Sequence, residues 1–483
     1  MSEIHHLLID GNQVPARDRA TFVSLSPVTG ARIADVADAS VADGELAVAA
    51  ATRAFAEWSR VSFLERRAVL LRAADLLEGA DFRAELALEV GAVRAWSEMN
   101  ITEAAATLRE AAGLASSAQG TVLPSADPSG TNLSLRTAAG VVLAIVPWNA
   151  PVVLAARSVA IAVALGNTVI LRPSEQAPFA AGHLLADVLT RAGAPAGVVN
   201  VLTCNPARSK DLVASLIAAP EVRRVVFIGS TPVGRAIAAV AGDALTPAVL
   251  ELGGKNATLV LSDADLDVAA TQIAFAAFAN SGQVCMATDR VLVAASLLDG
   301  LIERLVARAS ALAVGDPRHD DVALGPLITD ASAARFTGLI ADASTHGARV
   351  LTGGSADGRY AKPTVLTGVT PASRLHSEEA FAPVVSIEPH PDDAALVAAA
   401  NDSAYGLIAS VVSTDPSRAW HLARHLRAGA VHVNGPSVGD EPHVPFGGLA
   451  ASGSGRLGGA ESVQTFTEQR TFYLHGWEVL PLP

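Results

Sequence analysis

Cysteine is nearly absent from this chain of 483 residues, which has only Cys204 and Cys285, 81 positions apart. So few thiols exclude a disulfide-stapled scaffold and a metal centre built from thiolates alone. A lone pair in a chain of this size points instead to a reducing compartment. Charge is sparse too, at 17% of residues, and no basic excess exists: 35 Lys and Arg face 48 Asp and Glu, a net charge of −13. That balance argues against nucleic-acid or anionic-membrane partners. A long unbroken apolar run is also missing, although the mean hydropathy of +0.36 raises the question. The best candidate, Ala138–Ala156, is 19 residues without a charge, but Pro147, Asn149 and Pro151 interrupt any helix there. Met1 to His6 lacks the basic start and apolar core of a secretion signal. These absences lead to the expectation of a cytoplasmic protein without membrane or nucleic-acid partners.

What is present is apolar material in quantity. Half of the residues are hydrophobic, which supplies ample core and excludes disorder. At about 100–200 residues per domain, the length predicts two to four packed units. No internal repeat or low-complexity linker divides them. Near the start, Ser62-x-x-Glu65 reads as a capping box, with Leu70, Ala74 and Leu77 on one helical face and Gly79 as the stop. From about residue 141 the pattern becomes strand, turn, helix. Val141–Val146, Thr168–Leu171, Val198–Leu202 and Val225–Ile228 are short uninterrupted apolar runs, as expected of strands buried on both faces. The Ala-rich helices between them predict a parallel doubly wound α/β sheet. A second system runs from about 257 to 450, with candidate strands Thr258–Leu261, Val291–Ala294 and Val384–Ile387. Thr131–Thr137 and Gln469–Leu474 alternate polar and apolar residues and fit neither system; they are candidates for an arm that docks elsewhere.

Four constellations carry residues suited to chemistry. Phe227-Ile228-Gly229-Ser230 leads from a strand into a turn before a helix, where backbone N–H groups can face a phosphate. The plain alternative is an ordinary tight turn. Glu251-Leu252-Gly253-Gly254-Lys255 sets a carboxylate in apolar surroundings, which would raise its pKa and suit a general base; an ion-paired glutamate is the bland reading. Ser281-Gly282-Gln283-Val284-Cys285-Met286-Ala287 places a thiol after a small-residue turn and, as expected from Met286-Ala287-Thr288, at the start of a helix that would lower its pKa. Cys204 has no such neighbour and reads as a buried, inert thiol. Pro147-Trp148-Asn149-Ala150-Pro151 fixes an amide donor at a strand end, suited to an oxyanion or simply to a rigid loop. A thiol, a carboxylate, an amide and a phosphate-ready turn together suggest acyl chemistry with a nucleotide cofactor.

Taken in order, these motifs resemble the aldehyde dehydrogenase superfamily from end to end. Arg172-Pro173-Ser174-Glu175, Glu379-Ala380-Phe381-Ala382-Pro383, Asn401-Asp402-Ser403-x-Tyr405-Gly406-Leu407 and Pro445-Phe446-Gly447-Gly448 extend the likeness. The resemblance implies an α/β fold with a Rossmann-like NAD-binding domain (residues 1–119 and 140–252), an α/β catalytic domain (253–452) and a small β oligomerisation arm (120–139 and 453–483). It implies that Cys285 attacks an aldehyde, that Asn149 and the Cys285 N–H hold the oxyanion, and that Glu251 activates water to hydrolyse the thioester. Trp148, Arg172, Ser174, Glu175, Phe227, Gly229, Ser230, Leu252, Glu379 and Phe381 would hold the cofactor. Glu175 would bind the adenosine ribose and repel a 2′-phosphate, favouring NAD over NADP. Arg172 stands where relatives usually carry Lys, which softens that bias. The segment Thr203–Lys210 lacks glycines that many relatives carry beside the adenine.

Within the superfamily the likeness is greatest to bacterial salicylaldehyde, benzaldehyde and vanillin dehydrogenases, through Glu89-Val90-Gly91-Ala92, Trp96, Leu154-Ala155-Ala156-Arg157 and Val284-Cys285-Met286. Trp96, Arg157, Val284 and Met286 then become candidates for an aromatic-aldehyde pocket, with Arg157 equally readable as a structural ion-pair partner. The alternatives are an aliphatic or semialdehyde dehydrogenase on the same scaffold and a catalytically silent binding protein. A homodimer or homotetramer is the implied assembly.

Overall fold

The structure is a computed structural model and describes residues 4–117 and 120–475. Residues 1–3, 118–119 and 476–483, which include part of the signal-peptide reading and of the expected arm, lie outside the described residues. Two large sheets dominate. The first has eight strands in the order Gly453–Ser454, Ala248–Glu251, Val222–Ile228, Val141–Val146, Thr168–Pro173, Val199–Val201, Leu7–Ile9, Asn12–Val14. The five central strands from Ala248–Glu251 to Val199–Val201 are parallel, and the outer ones antiparallel.

The double winding follows from the period of a strand. Val142, Ala144 and Val146 enter one core with the helix Pro151–Ala164, while Val141, Leu143 and Ile145 enter the opposite core with Ala47, Ala51, Leu212 and Leu216. Every residue of Val141–Val146 is buried, because both faces of the strand are covered. The uncharged stretch Ala138–Ala156 is therefore a buried strand, a turn, and a helix that Pro151 starts, where a missing N–H costs nothing. No described helix is long and apolar enough to cross a membrane.

The second sheet has seven strands in the order Arg349–Thr352, Thr364–Thr367, Val384–His390, Thr288–Ala294, Asn256–Val260, Ile408–Val412, Ala430–Val433, all parallel except the first. A third sheet pairs Thr467–Leu474 with Thr131–Ala138, and that strand with Thr121–Leu123. Among the described residues after 452, only Thr467–Leu474 forms an arm strand. Gly453–Ser454 edges the first sheet, and Val463 and Phe466 pack in its core.

Ser62 caps the helix Phe63–Glu78, and Gly79 ends it. The Ser62 hydroxyl accepts from Leu64 N–H at 3.2 Å rather than from Glu65, so Ser62 caps the helix but the expected box with Glu65 does not form. The helix expected to begin at Cys285 does not form: Val284 to Ala287 is a turn that leads straight into Thr288–Ala294. Thr288 and the run Val291-Leu292-Val293 favour that strand.

Candidate active site

The two sheets meet end to end. Asn149, Gly229 and Glu251 lie at the C-terminal ends of strands in the first sheet; Gly254, Cys285 and Phe381 lie just before strands of the second. Between them opens a cleft of about 620 Å³ lined by Trp148, Asn149, Gly229, Ser230, Glu251, Leu252, Cys285, Glu379 and Phe381. Nine residues singled out from motifs spread over more than 230 positions thus converge. The end of a parallel sheet is where open α/β folds leave room for ligands.

The Asn149 turn is held from below. Its carbonyl accepts from the Trp96 indole N–H at 2.8 Å and from Asn280 Nδ2 at 2.9 Å. Its side-chain amide donates to the Gln283 carbonyl at 3.0 Å. An amide carries two N–H donors, so one remains for a substrate oxygen.

Cys285 follows an unusual backbone. Asn280, Ser281 and Gly282 are consecutive left-handed residues, with φ of 50°, 57° and 68°. A Cβ on Gly282 would sit 2.1 Å from the Ala382 carbonyl oxygen, so only glycine fits. Such a backbone costs about 1–3 kcal/mol per strained non-glycine residue and needs support. Ser281 Oγ donates to Gly325 O at 2.8 Å, and Gln283 accepts from Ile328 N–H at 2.9 Å. Past the cysteine, Asn256 Nδ2 donates to the carbonyls of Cys285 (2.7 Å) and Ala287 (2.9 Å). A buried hydroxyl chain, Thr258 to Thr288 to Ser437, ends on the Met286 carbonyl at 2.7 Å.

The electrostatics differ from the helix-terminus expectation. Burial pushes the Cys285 thiol up to about 12, and the carboxylates of Glu379, Glu251 and Asp440 add to this. No helix N-terminus lies beside it, and the Arg157 guanidinium, which acts to lower the pKa, is outweighed by burial and the three carboxylates. Glu251 is 3% exposed, and burial holds its pKa well above the ordinary carboxylate range. Neither of its oxygens has a hydrogen bond of ordinary geometry; the Gly448 N–H and the Arg456 and Arg157 guanidiniums are the groups that act on it. Gly447 makes room, since a Cβ there would lie 2.6 Å from Glu251 Oε1. An unpaired buried carboxylate at the cleft wall is an acceptor waiting for a water proton.

The nucleotide half also fits. The Gly254 N–H donates to Glu379 Oε1 at 3.1 Å, and Arg335 holds the Glu379 and Ala380 carbonyls at 2.7 Å each. Burial, with the nearby Asp289 charge, raises Glu379 to about 7. Trp148 and Phe381 meet edge to face, with centroids 5.8 Å apart. Ser230 caps the 13-residue helix Thr231–Asp243 without a side-chain bond to it, which leaves the helix N–H groups facing the cleft and suited to a pyrophosphate.

Other expected residues stand apart. Phe227 is buried, its ring against Gly229. Arg172 donates to Cys204 O at 3.3 Å and Sγ at 3.4 Å and lies 3.7 Å from Glu175. Ser174 accepts from Gln176 N–H. Trp96, Arg157, Val284 and Met286 do not line the cleft. Trp96 supports Asn149 instead, Val284 is in the first core, Met286 packs beside Cys285, and Arg157 pairs with Asp440. Sequence reasoning missed Asn280, Asn256, Arg335 and the Lys255–Asp289 pair at 3.1 Å. Adjacency to the Gly253-Gly254 and Gly282 turns pointed to Lys255, Asn256 and Asn280, and no local signal pointed to Asp289 or Arg335.

A profile of the aldehyde dehydrogenase family matches residues 14–472. The chain belongs to the aldehyde dehydrogenase family. It is 44% identical over 465 residues to a vanillin dehydrogenase of Pseudomonas fluorescens, covering 96% of each chain. It is 40% identical over 469 residues to the benzaldehyde dehydrogenase [NAD(+)] of Pseudomonas putida, covering 96% of this chain and 95% of that one. A crystal structure of a salicylaldehyde dehydrogenase from Pseudomonas putida G7, complexed with salicylaldehyde, superposes with a TM-score of 0.96 at 36% identity, covering 99% of each chain. This aldehyde dehydrogenase is an oxidoreductase acting on aldehydes with a nicotinamide cofactor.

Proposed function

We propose that the protein oxidises aromatic aldehydes to carboxylic acids with NAD, through a thioester on Cys285. The observation that carries the mechanism is the convergence of Cys285, Asn149 and Glu251 on one cleft. The Cys285 sulfur adds to the aldehyde carbon, and the free Asn149 N–H with the Cys285 backbone N–H stabilises the oxyanion. Trp148, Glu379 and Phe381 would hold the nicotinamide, which when bound would accept the hydride and add a positive charge that favours the thiolate. Glu251 then takes a proton from water, which attacks the thioester; the acid leaves and the thiol is restored. The aromatic substrate class is supported by the vanillin, benzaldehyde and salicylaldehyde relatives.

NAD is favoured because the Arg172 guanidinium is engaged by the Cys204 carbonyl and lies 3.7 Å from Glu175, so it is not free for a 2′-phosphate, and the Glu175 carboxylate would repel one. Residues 1–119 with 140–252 would bind the cofactor and 253–452 carry the nucleophile, a division supported by the two sheets. The exposed apolar residues Val122, Tyr473 and Leu474 on the arm support a homodimer or homotetramer, and two unpaired cysteines support a cytoplasmic setting. The test is an aldehyde panel with NAD and NADP, read by absorbance of the reduced cofactor. Benzaldehyde-type substrates with NAD should give the highest kcat/KM; a strong preference for short aliphatic aldehydes would sink the aromatic reading.

A further inference from the structure

A buried ion pair lies directly behind the nucleotide half of the cleft, and the mechanism above gives it no task. Lys255 Nζ donates to Asp289 Oδ1 at 3.1 Å, and both side chains are buried. Replacing such a pair by apolar residues is often neutral or stabilising, so stability alone does not account for it. Its position is informative. Lys255 follows Gly254, whose N–H donates to Glu379 Oε1 at 3.1 Å. Gly253 lies so close that a Cβ there would sit 2.3 Å from Glu379 Oε2. Asp289, on the strand Thr288–Ala294, accepts at 3.3 Å from the N–H of Ala380, the residue after Glu379. Gly253, Glu379 and Ala380 line the cleft. The pair thus ties together the two wall segments that present the Glu379 carboxylate.

The charges point the same way. Glu379 feels Asp289, Lys255 and Arg335, and Tyr405 on the same wall feels Glu379 and Asp289. Arg335 is occupied by the carbonyls of Glu379 and Ala380 and by the Glu378 carboxylate. Lys255 carries three donors on a flexible stem. Without Asp289, the Glu379 carboxylate is there to take up its charge. An ammonium on Glu379 would then occupy lone pairs that ribose hydroxyls need as acceptors.

We propose that Asp289 is a positioning residue for the cofactor: by holding Lys255 and the Ala380 N–H, it keeps the ammonium off Glu379 and leaves that carboxylate open to ribose hydroxyls. The proposal rests on Glu379 as a cofactor residue, which Glu379→Gln checks separately. The test titrates NAD, without aldehyde, into the wild type, Asp289→Asn, Lys255→Met/Asp289→Asn and Glu379→Gln by isothermal calorimetry, with steady-state kinetics alongside. Asp289→Asn keeps the acceptor for Ala380 and removes the charge; it should raise the Kd and KM for NAD about tenfold, with the KM for the aldehyde unchanged. The double variant, lacking the ammonium, should return the Kd to within about threefold of the wild type. A Kd in Asp289→Asn within about threefold of the wild type overturns the proposal, as does a double variant that binds no better than the single, since a merely structural pair would not be rescued by removing both charges. An unchanged Kd in Glu379→Gln overturns the cofactor role of Glu379, and the proposal falls with it. Should Asp289→Asn not fold, Asp289→Ser, which also keeps an oxygen acceptor without the charge, takes its place with the same expected shifts.

Discussion

At the scale of single residues, charge state governs what the cleft does. Burial and three carboxylates favour the neutral thiol, so Cys285 keeps its proton to a high pH. Alkylation of the cofactor-free protein by iodoacetamide should therefore rise about tenfold per pH unit from 6 to 10. Cys285→Ala supplies the background, since Cys204 is fully buried. A plateau of the alkylation rate below pH 8 would contradict the raised pKa. Glu251 has a separate task, late in the cycle. Glu251→Gln should lower steady-state turnover by about 10²–10⁴-fold while leaving a rapid first burst of reduced cofactor. Mass spectrometry should then find the acyl group on the peptide that contains Cys285. Loss of the burst along with the turnover would instead assign Glu251 to the first half of the reaction.

Elements place these groups to within a hydrogen bond, and they do so through carbonyls. The strand Val141–Val146 ends in a turn whose carbonyl at Asn149 is gripped by Trp96, from the helix Arg94–Leu114, and by Asn280. Trp96→Phe keeps the apolar bulk and removes one donor. It should cost about 1–3 kcal/mol where a buried carbonyl loses its partner, seen as a lower kcat and a lower melting temperature with the KM for the cofactor unchanged. An unaltered kcat would show that Asn280 suffices. On the opposite wall, the strand Ala248–Glu251 delivers the base against Gly447. Gly447→Ala should push the carboxylate aside, slowing hydrolysis while the burst persists; equal slowing of both phases would argue against this. The loop Ala279–Ala287 is bound on both sides, by Gln283 to Ile328 and by Asn256 to Cys285, which is how a left-handed run persists there.

For the whole molecule, the arm is where assembly can be tested. Among the described residues, its outer strands Thr121–Leu123 and Thr467–Leu474 each have one unpaired edge, and Val122 is 71% and Tyr473 66% exposed. Edges of this kind invite pairing. Val122→Asp with Tyr473→Asp should yield a smaller species by sedimentation velocity, with the melting of the two sheets little changed. An unchanged sedimentation coefficient would place any subunit contact elsewhere. The two sheets themselves rest on separate cores, with Val291, Val293, Val385 and Ile387 in one and Val142, Ala144 and Val146 in another. The cleft is the gap where their ends face each other.

Much of this was written locally. Apolar runs of strand length, Ala-rich helices and glycine turns specify the doubly wound architecture, because burial on both faces demands such runs. The order of motifs was enough to single out Cys285, Glu251, Asn149 and Glu379. What local pattern did not contain was who supports whom. Small residues after Cys285 suggested a helix and a lowered pKa; the turn into Thr288–Ala294 removed the helix, and burial reversed the shift. Trp96 read as a pocket wall and is a strut for Asn149. Arg157 could be a substrate cation or an ion-pair partner, and only the approach of Asp440, 283 positions along the chain, decided between them. Residue type and spacing determine what chemistry a chain can offer, because propensity and periodicity act over a few residues. Which charge is matched, which carbonyl is gripped and which thiol is desolvated depend on groups that only tertiary packing brings within hydrogen-bond or Coulomb range.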